Sequence, residues 1–194
     1  MGYKLKTAPA VEPVTLEEAK LHLRVDSDCT GEDVLITSLI TAARQMVENY
    51  TGLALINQTW EMLVDEFPDD DMALRPAPLS SITSITYTDI NGATQTASPT
   101  TVYTADTYSL PGAAVLRYGQ TWPTVRDIKN AITVTYVAGF GTAASSVPGP
   151  IKAAILLLIG HLFEHRESVV IGTISSELPQ GVEYLLNPYR LIEM

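Results

Sequence analysis

The sequence predicts an α+β fold: a small helical bundle of two N-terminal helices and one long C-terminal helix, with a β-rich insertion and an extended C-terminal tail. Three observations predict it. Residues 32–50 and 150–166 carry apolar side chains at helical spacing. Residues 55–137 break into short alternating runs separated by Pro, Gly and Asn-Gly turns. After the second long helix the periodicity fades into a loop-rich tail. The expected organisation is an N-terminal arm with two helices (1–54), a β-rich insertion (55–137), a linker and C-terminal helix (138–167) and a tail (168–194), all within one structural domain.

Residues 1–14 read as an extended arm, because Pro9 and Pro13 exclude a helix. Thr15 and Glu18 stand at capping-box spacing, so a short helix should run from there to Leu23. The polar run 24–31 (RVDSDCTG) reads as a loop. In the helix expected over 32–50, Leu35, Leu39, Ala42, Met46 and Tyr50 form one apolar side, joined by Ile36, Ile40, Ala43 and Val47. Glu32 and Asp33 suit the positive end of its dipole, and Gly52 is placed to end it in the left-handed region. Strands are expected over 56–65, 79–88, 94–97, 102–108, 114–118 and 131–137, with Asn91-Gly92 as a tight hairpin turn. The stretch PIKAAILLLIGHLFEHR, from Pro150 to Arg166, is the most apolar in the chain. Ile151, Ala154, Ile155, Leu158 and Leu162 make one stripe and Leu156, Ile159 and Phe163 a second, so this helix should be buried on nearly all sides. It could form the centre of the domain, or another copy of the chain could cover one face. It is too short and too closely flanked by charge to span a bilayer. The tail should pass through a loop at 179–181 and then the apolar segment 182–186.

Bulk composition narrows the function. Apolar residues make up 46% of the 194, enough for a real core. The net charge is -10, from 22 acidic and 12 basic residues, and the basic ones are scattered. A chain of that sign lacks the basic patch that reading nucleic acid requires. One cysteine, Cys29, excludes an internal disulfide framework and suits a reducing compartment. The N-terminus has no apolar segment of signal-peptide type, so a cytosolic site of synthesis is expected.

No catalytic constellation emerges. His161, Glu164 and His165 spell H-x-x-E-H on a helix, with the histidines at i, i+4 on one face as zinc requires. A third ligand would have to be Glu167, Glu177 or Glu183, which is cramped. The preferred reading is a helix C-terminus where His and Arg complement the dipole. Asp69, Asp70 and Asp71 are consecutive, which is not the spacing of a calcium loop. Asp28 beside Cys29 is not the cationic neighbour that activates a thiol. Ser145 and Ser146 lie outside any nucleophile-elbow motif, and no phosphate-binding loop is present. No cofactor or metal site is therefore expected. The aromatic residues in the strands read as packing rather than as a stacking platform.

Three pieces together resemble a known family. They are PVTLEEAKLHLRVD with EDVLITSLITAARQMVENYTGLAL, then ITVTYVAGFG leading through VPGPIKAAILLLIGHLFEHRE, and the tail LPQGVEYLLNPYR. Their order is similar to that of the head–tail connector (adaptor) proteins of tailed bacteriophages and prophages. The resemblance implies a structural protein without catalytic residues, assembling in the host bacterial cytoplasm and residing at the virion head–tail junction. It implies a homo-oligomeric ring of about a dozen copies beneath the portal, bridging it to the stopper or tail-completion protein. Double-stranded DNA would pass through the bore without sequence-specific contact, and no membrane is involved. The resemblance makes the tail, with Leu178, Val182, Leu185, Leu186, Tyr189 and Arg190, a segment that docks on the portal; packing against its own domain is the alternative. A ring needs a heterologous interface, expected on the two long helices and including Leu156, Ile159 and Phe163. The competing functions are a monomeric head-completion or minor tail protein and a zinc-dependent hydrolase built on His161, Glu164 and His165.

Overall fold

The computed structural model describes residues 2–165 and 180–191. The chain is mixed α+β and divides into two compact units. Met1–Ala10 with Ile56–Thr142 forms a strand unit, and Val11–Leu55 with Ala143–Met194 a helical unit. The first ten residues thus go with the strands, although the sequence groups them with the helices.

The helical unit opens with α1 (Leu16–Leu23), where both bonds of the capping box form. The Glu18 amide donates to Thr15 Oγ1 (3.1 Å), and the Thr15 amide to Glu18 Oε2 (2.8 Å). Arg24 ends the helix in the left-handed region at φ 57°. Helix α2 (Asp33–Thr51) follows, and Gly52 (φ 74°) closes it by donating its amide to the Glu48 carbonyl. Ile36, Ile40, Ala43 and Val47 face the core. The neighbouring stripe of Leu35, Leu39 and Ala42 is half-buried, and Met46 is exposed. Helix α3 (Gly149–Glu164) buries Ile151, Ala154, Ile155, Leu158 and Ile159. Its opposite side stays accessible, with Leu157 42% exposed, so a single chain does not bury the helix on nearly all sides. Helix α4 (Gln180–Leu186) and a 3-10 turn (Asn187–Tyr189) complete the unit.

The strand unit contains eight strands among the described residues. An antiparallel five-stranded sheet has the order β1 (Gly2–Thr7), β2 (Gln58–Val64), β8 (Ile132–Ala138), β4 (Leu79–Thr88), β5 (Thr94–Ala97). A second sheet has the order β3 (Met72–Ala73), β7 (Ala113–Leu116), β6 (Tyr103–Asp106). Central β8 shows why the sheet forms: Ile132, Val134, Tyr136 and Ala138 are fully buried, alternating with Thr133, Thr135 and Val137 on the other face. Met72, Leu74, Tyr103 and Ala114, in and beside the second sheet, are buried as well. Burial raises the pKa of the Tyr136 phenol, whose hydroxyl donates to the Arg75 carbonyl. Phe67 and Trp122 stack with ring centroids 4.6 Å apart, and Tyr87 meets Phe67 edge-on.

Turns are set by local chemistry. Between β4 and β5, Asp89 Oδ1 accepts the amides of Asn91 and Ala93, and Gly92 takes φ 87°. At the end of β8, Gly139 (φ 146°) brings its backbone so close to Asn57 that a Cβ would lie 2.5 Å from the Asn57 nitrogen. Asp65 accepts from Lys129 Nζ and the Asn130 amide, both at 2.7 Å, tying the end of β2 to the approach to β8. Of the arm expected over residues 1–14, Gly2–Thr7 forms the paired strand β1.

Candidate interaction surface

The helical unit holds most of the residues expected to contact partners. It also holds two buried cations. Arg44 on α2 bonds Glu12 Oε2 (2.7 Å) and Glu48 Oε2 (2.6 Å), with its side chain 8% exposed. The other Glu48 oxygen accepts the Leu55 amide. Burial opposes the Arg44 charge, but the two glutamates outweigh it and raise its pKa. Lys20 on α1 pairs with Asp33 at 2.5 Å and donates to the Ser27 and Cys29 carbonyls. It thereby orders the loop between α1 and α2. Helical periodicity places Arg44 on the stripe of Ile36, Ile40 and Val47, and Lys20 beside Ala19, so the spacing carried a sign of these buried charges that the sequence reading did not single out.

On α3, Lys152 bonds Glu18 Oε1 (2.9 Å), linking the helix to the start of α1. Of the three residues expected at a subunit interface, Ile159 lies fully inside its own unit and presents no surface. Leu156 and Phe163 are half-buried at the margin. The sequence reading overlooked Leu157, the exposed large apolar residue of this helix.

The described part of the tail packs against its own unit. Val182 and Leu186 are fully buried, i, i+4 on one face of α4. Asn187 Oδ1 accepts from the Tyr50 hydroxyl (2.8 Å), the Leu191 amide donates to the Thr51 carbonyl (2.9 Å), and the Arg190 guanidinium lies 5.1 Å from the Tyr50 ring centroid. Leu185 and Tyr189 are half-buried and Arg190 is exposed; Leu178 lies outside the described residues. The face of α4 turned away from the core carries Tyr184, 80% exposed, which the sequence reading did not single out.

The candidate chemical groups are dispersed. His161 and His165 lie with ring centroids 4.7 Å apart at the end of α3, and His165 Nδ1 is 3.1 Å from the His161 carbonyl oxygen. Glu183 is on α4, while Glu167 and Glu177 lie outside the described residues. Among the described residues, no group of three or more His, Cys, Asp or Glu is placed to hold a metal ion. Asp69 and Asp71 line an open cleft of about 650 Å³ in the strand unit, together with Tyr3, Phe67, Met72 and Arg75. Cys29 is exposed. Among the described residues, no helix is long and apolar enough to cross a membrane.

Comparisons with known proteins agree with a structural role. Three solved chains share the fold over 100% of this chain and 97% of theirs. One is from the virion of a native gene transfer agent particle (TM-score 0.83, 22% identity). Another is from the neck of the empty particle computed with C6 symmetry (0.83, 23%). A third is from the neck of the native particle computed with C12 symmetry (0.77, 20%). No curated protein matches the sequence. The profile of the head completion protein family, HCP, matches residues 13–192, nearly the whole length. The chain therefore belongs to the head completion protein family, a structural family and not one of enzymes.

Proposed function

We propose that the protein works at the head–tail junction of a tailed phage, prophage or related particle, as one copy of a homo-oligomeric ring between the portal and the stopper or tail-completion protein. The observation that carries this reading is the full-length fold likeness to chains of a particle neck computed with C12 symmetry, in a chain whose family completes heads. Ring closure requires two different surfaces of each copy to meet. The half-buried α2 stripe of Leu35, Leu39 and Ala42, and the accessible side of α3 with Leu156, Leu157 and Phe163, supply apolar area for one such contact. The portal would be met by the outward side of α4, with Tyr184, Leu185, Tyr189 and Arg190, while Val182 and Leu186 hold that segment in place. Double-stranded DNA would pass the ring unread, as a net charge of -10 favours. Assembly would occur in the bacterial cytoplasm.

Native mass spectrometry of necks isolated from the particle, with a pull-down against the cognate portal, tests the reading. A ring-sized species that binds the portal is the expected result. A single 21.0 kDa copy per neck would instead identify a monomeric completion factor.

A further inference from the structure

We propose that β1 is exchanged between neighbouring copies, so that the first strand of one chain completes the five-stranded sheet of the next. This rests on the ring reading above and specifies one of its contacts.

β1 is the edge strand of its sheet, and all six of its residues are exposed. The backbone ladder to β2 runs from Gly2↔Leu63 to Thr7↔Thr59, and Lys6 Nζ meets Glu61 Oε1 across it at 2.7 Å. Tyr3 and Leu5, aligned with Met62 and Trp60 toward the inward face, are each still 41% exposed. A strand with so little side-chain burial belongs to the low-stability end of a structure and opens readily.

The connection also leaves the choice of partner open. β1 and β2 are not joined by a hairpin turn, because the chain passes through residues 11–55 of the helical unit between them. Glu12 is fixed by the Arg44 guanidinium and the Thr41 hydroxyl. Only residues 8–11, Ala-Pro-Ala-Val, join that anchor to the strand, and Ala8, Ala10 and Val11 are exposed. Short hinge segments between an anchored residue and an edge strand are where strand exchange takes place, and Pro9 narrows the conformations open to this one. The swapped and unswapped ladders contain the same bonds, so exchange is cheap.

The acceptor is selective. Alternation places Tyr3 and Leu5 over the inward positions and Lys4 and Lys6 on the outward face beside Glu61. A one-residue slip would invert both sets. The strand that fits is therefore apolar and basic in alternation, and a second copy of β1 carries that pattern in the required register.

Site-specific disulfides test the exchange. In a Cys29→Ser background, one full-length chain carries Lys4→Cys and another Glu61→Cys; these positions are direct cross-strand partners, within disulfide reach. The two chains are co-assembled into necks and oxidised. Each chain has one thiol, so a covalent heterodimer requires β1 of one copy on β2 of another. Heterodimers are expected in the mixture and not with either chain alone, and a chain carrying both substitutions should give a ladder of covalent multimers. Ring-containing necks with no heterodimer, and a doubly substituted chain that stays monomeric, would overturn the exchange and leave the ring intact. Necks with a single copy would overturn both. The pair Gly2→Cys and Leu63→Cys, from the same ladder and face, repeats the measurement should the first pair disturb folding.

Discussion

Arg44 holds its charge with the side chain only 8% exposed, so its two glutamate partners matter more than those of a surface residue. Removing one member of a buried ion pair costs about 3–5 kcal/mol, because the remaining charge is left desolvated. Glu48 is 12% exposed and Glu12 28%, so Glu48 bears most of that loss. Arg44→Met should destabilise the protein by about 3 kcal/mol in urea unfolding, and adding Glu48→Gln should recover part of it. Glu18 gives a pH dependence. Its hydrogen bond from Lys152, and then the Thr15 amide, hold its carboxyl below the usual glutamate value. Asp65, Asp89 and Asp106 are lowered in the same way, by Lys129, Gln95 and Ser109 respectively, with help from backbone amides. A carboxylate depressed in the folded state adds stability that is present above its unfolded pKa and lost as pH falls through the folded one. The melting temperature should therefore fall on acidification below about pH 4, and not between pH 5 and 7 on account of these groups. Lys152→Met should move the Glu18 titration, followed by NMR, up toward the ordinary glutamate value; an unmoved titration would mean the pairing does not set it.

At the scale of elements, α4 separates two roles that the sequence leaves combined. Val182 and Leu186 belong to the core and Tyr184 to the surface. Leu186→Ala should cost about 2–5 kcal/mol in unfolding, as for other large-to-small core changes. Tyr184→Ala should stay within about 0.5 kcal/mol of the parent in the same measurement and instead weaken portal capture. Equal stability of the two variants would show that the tail is not held as described. The elements that could be read from sequence are those specified locally. The α1 start follows from Thr15 and Glu18 alone, and β4 and β5 follow from their alternation around Asn91-Gly92. The orientation of α2 could not be read this way. The stripes of Leu35-Leu39 and Ile36-Ile40 share one period, and only packing of the remaining helices decides that Ile36 and Ile40 face inward. β1 was hidden for a related reason. Tyr3 and Leu5 alternate with Lys4 and Lys6, but the run is short and its partner β2 is reached only after two helices. The two-residue β3 has too few positions to show alternation at all.

For the whole molecule, charge bears most directly on the proposed passage of DNA. Several of the cations are already committed: Lys6, Lys20, Arg44, Lys129 and Lys152 each pair with a carboxylate. The rest are distributed along a chain with ten more acidic than basic residues. DNA affinity arises from cations that displace condensed counterions at the phosphates, and it weakens steeply with salt. A channel wall that must let DNA slide through needs to avoid that effect, and repulsion from a net negative surface does so. The free chain should therefore show no duplex binding in fluorescence anisotropy up to about 100 µM at physiological salt, the weak end of ordinary non-specific binding. Lowering the salt to about 50 mM should not reveal any, whereas a hidden basic patch would gain affinity by orders of magnitude over that range. Salt-dependent binding in the micromolar range would mean that the ring grips its cargo, and the unread passage proposed for it would have to be abandoned.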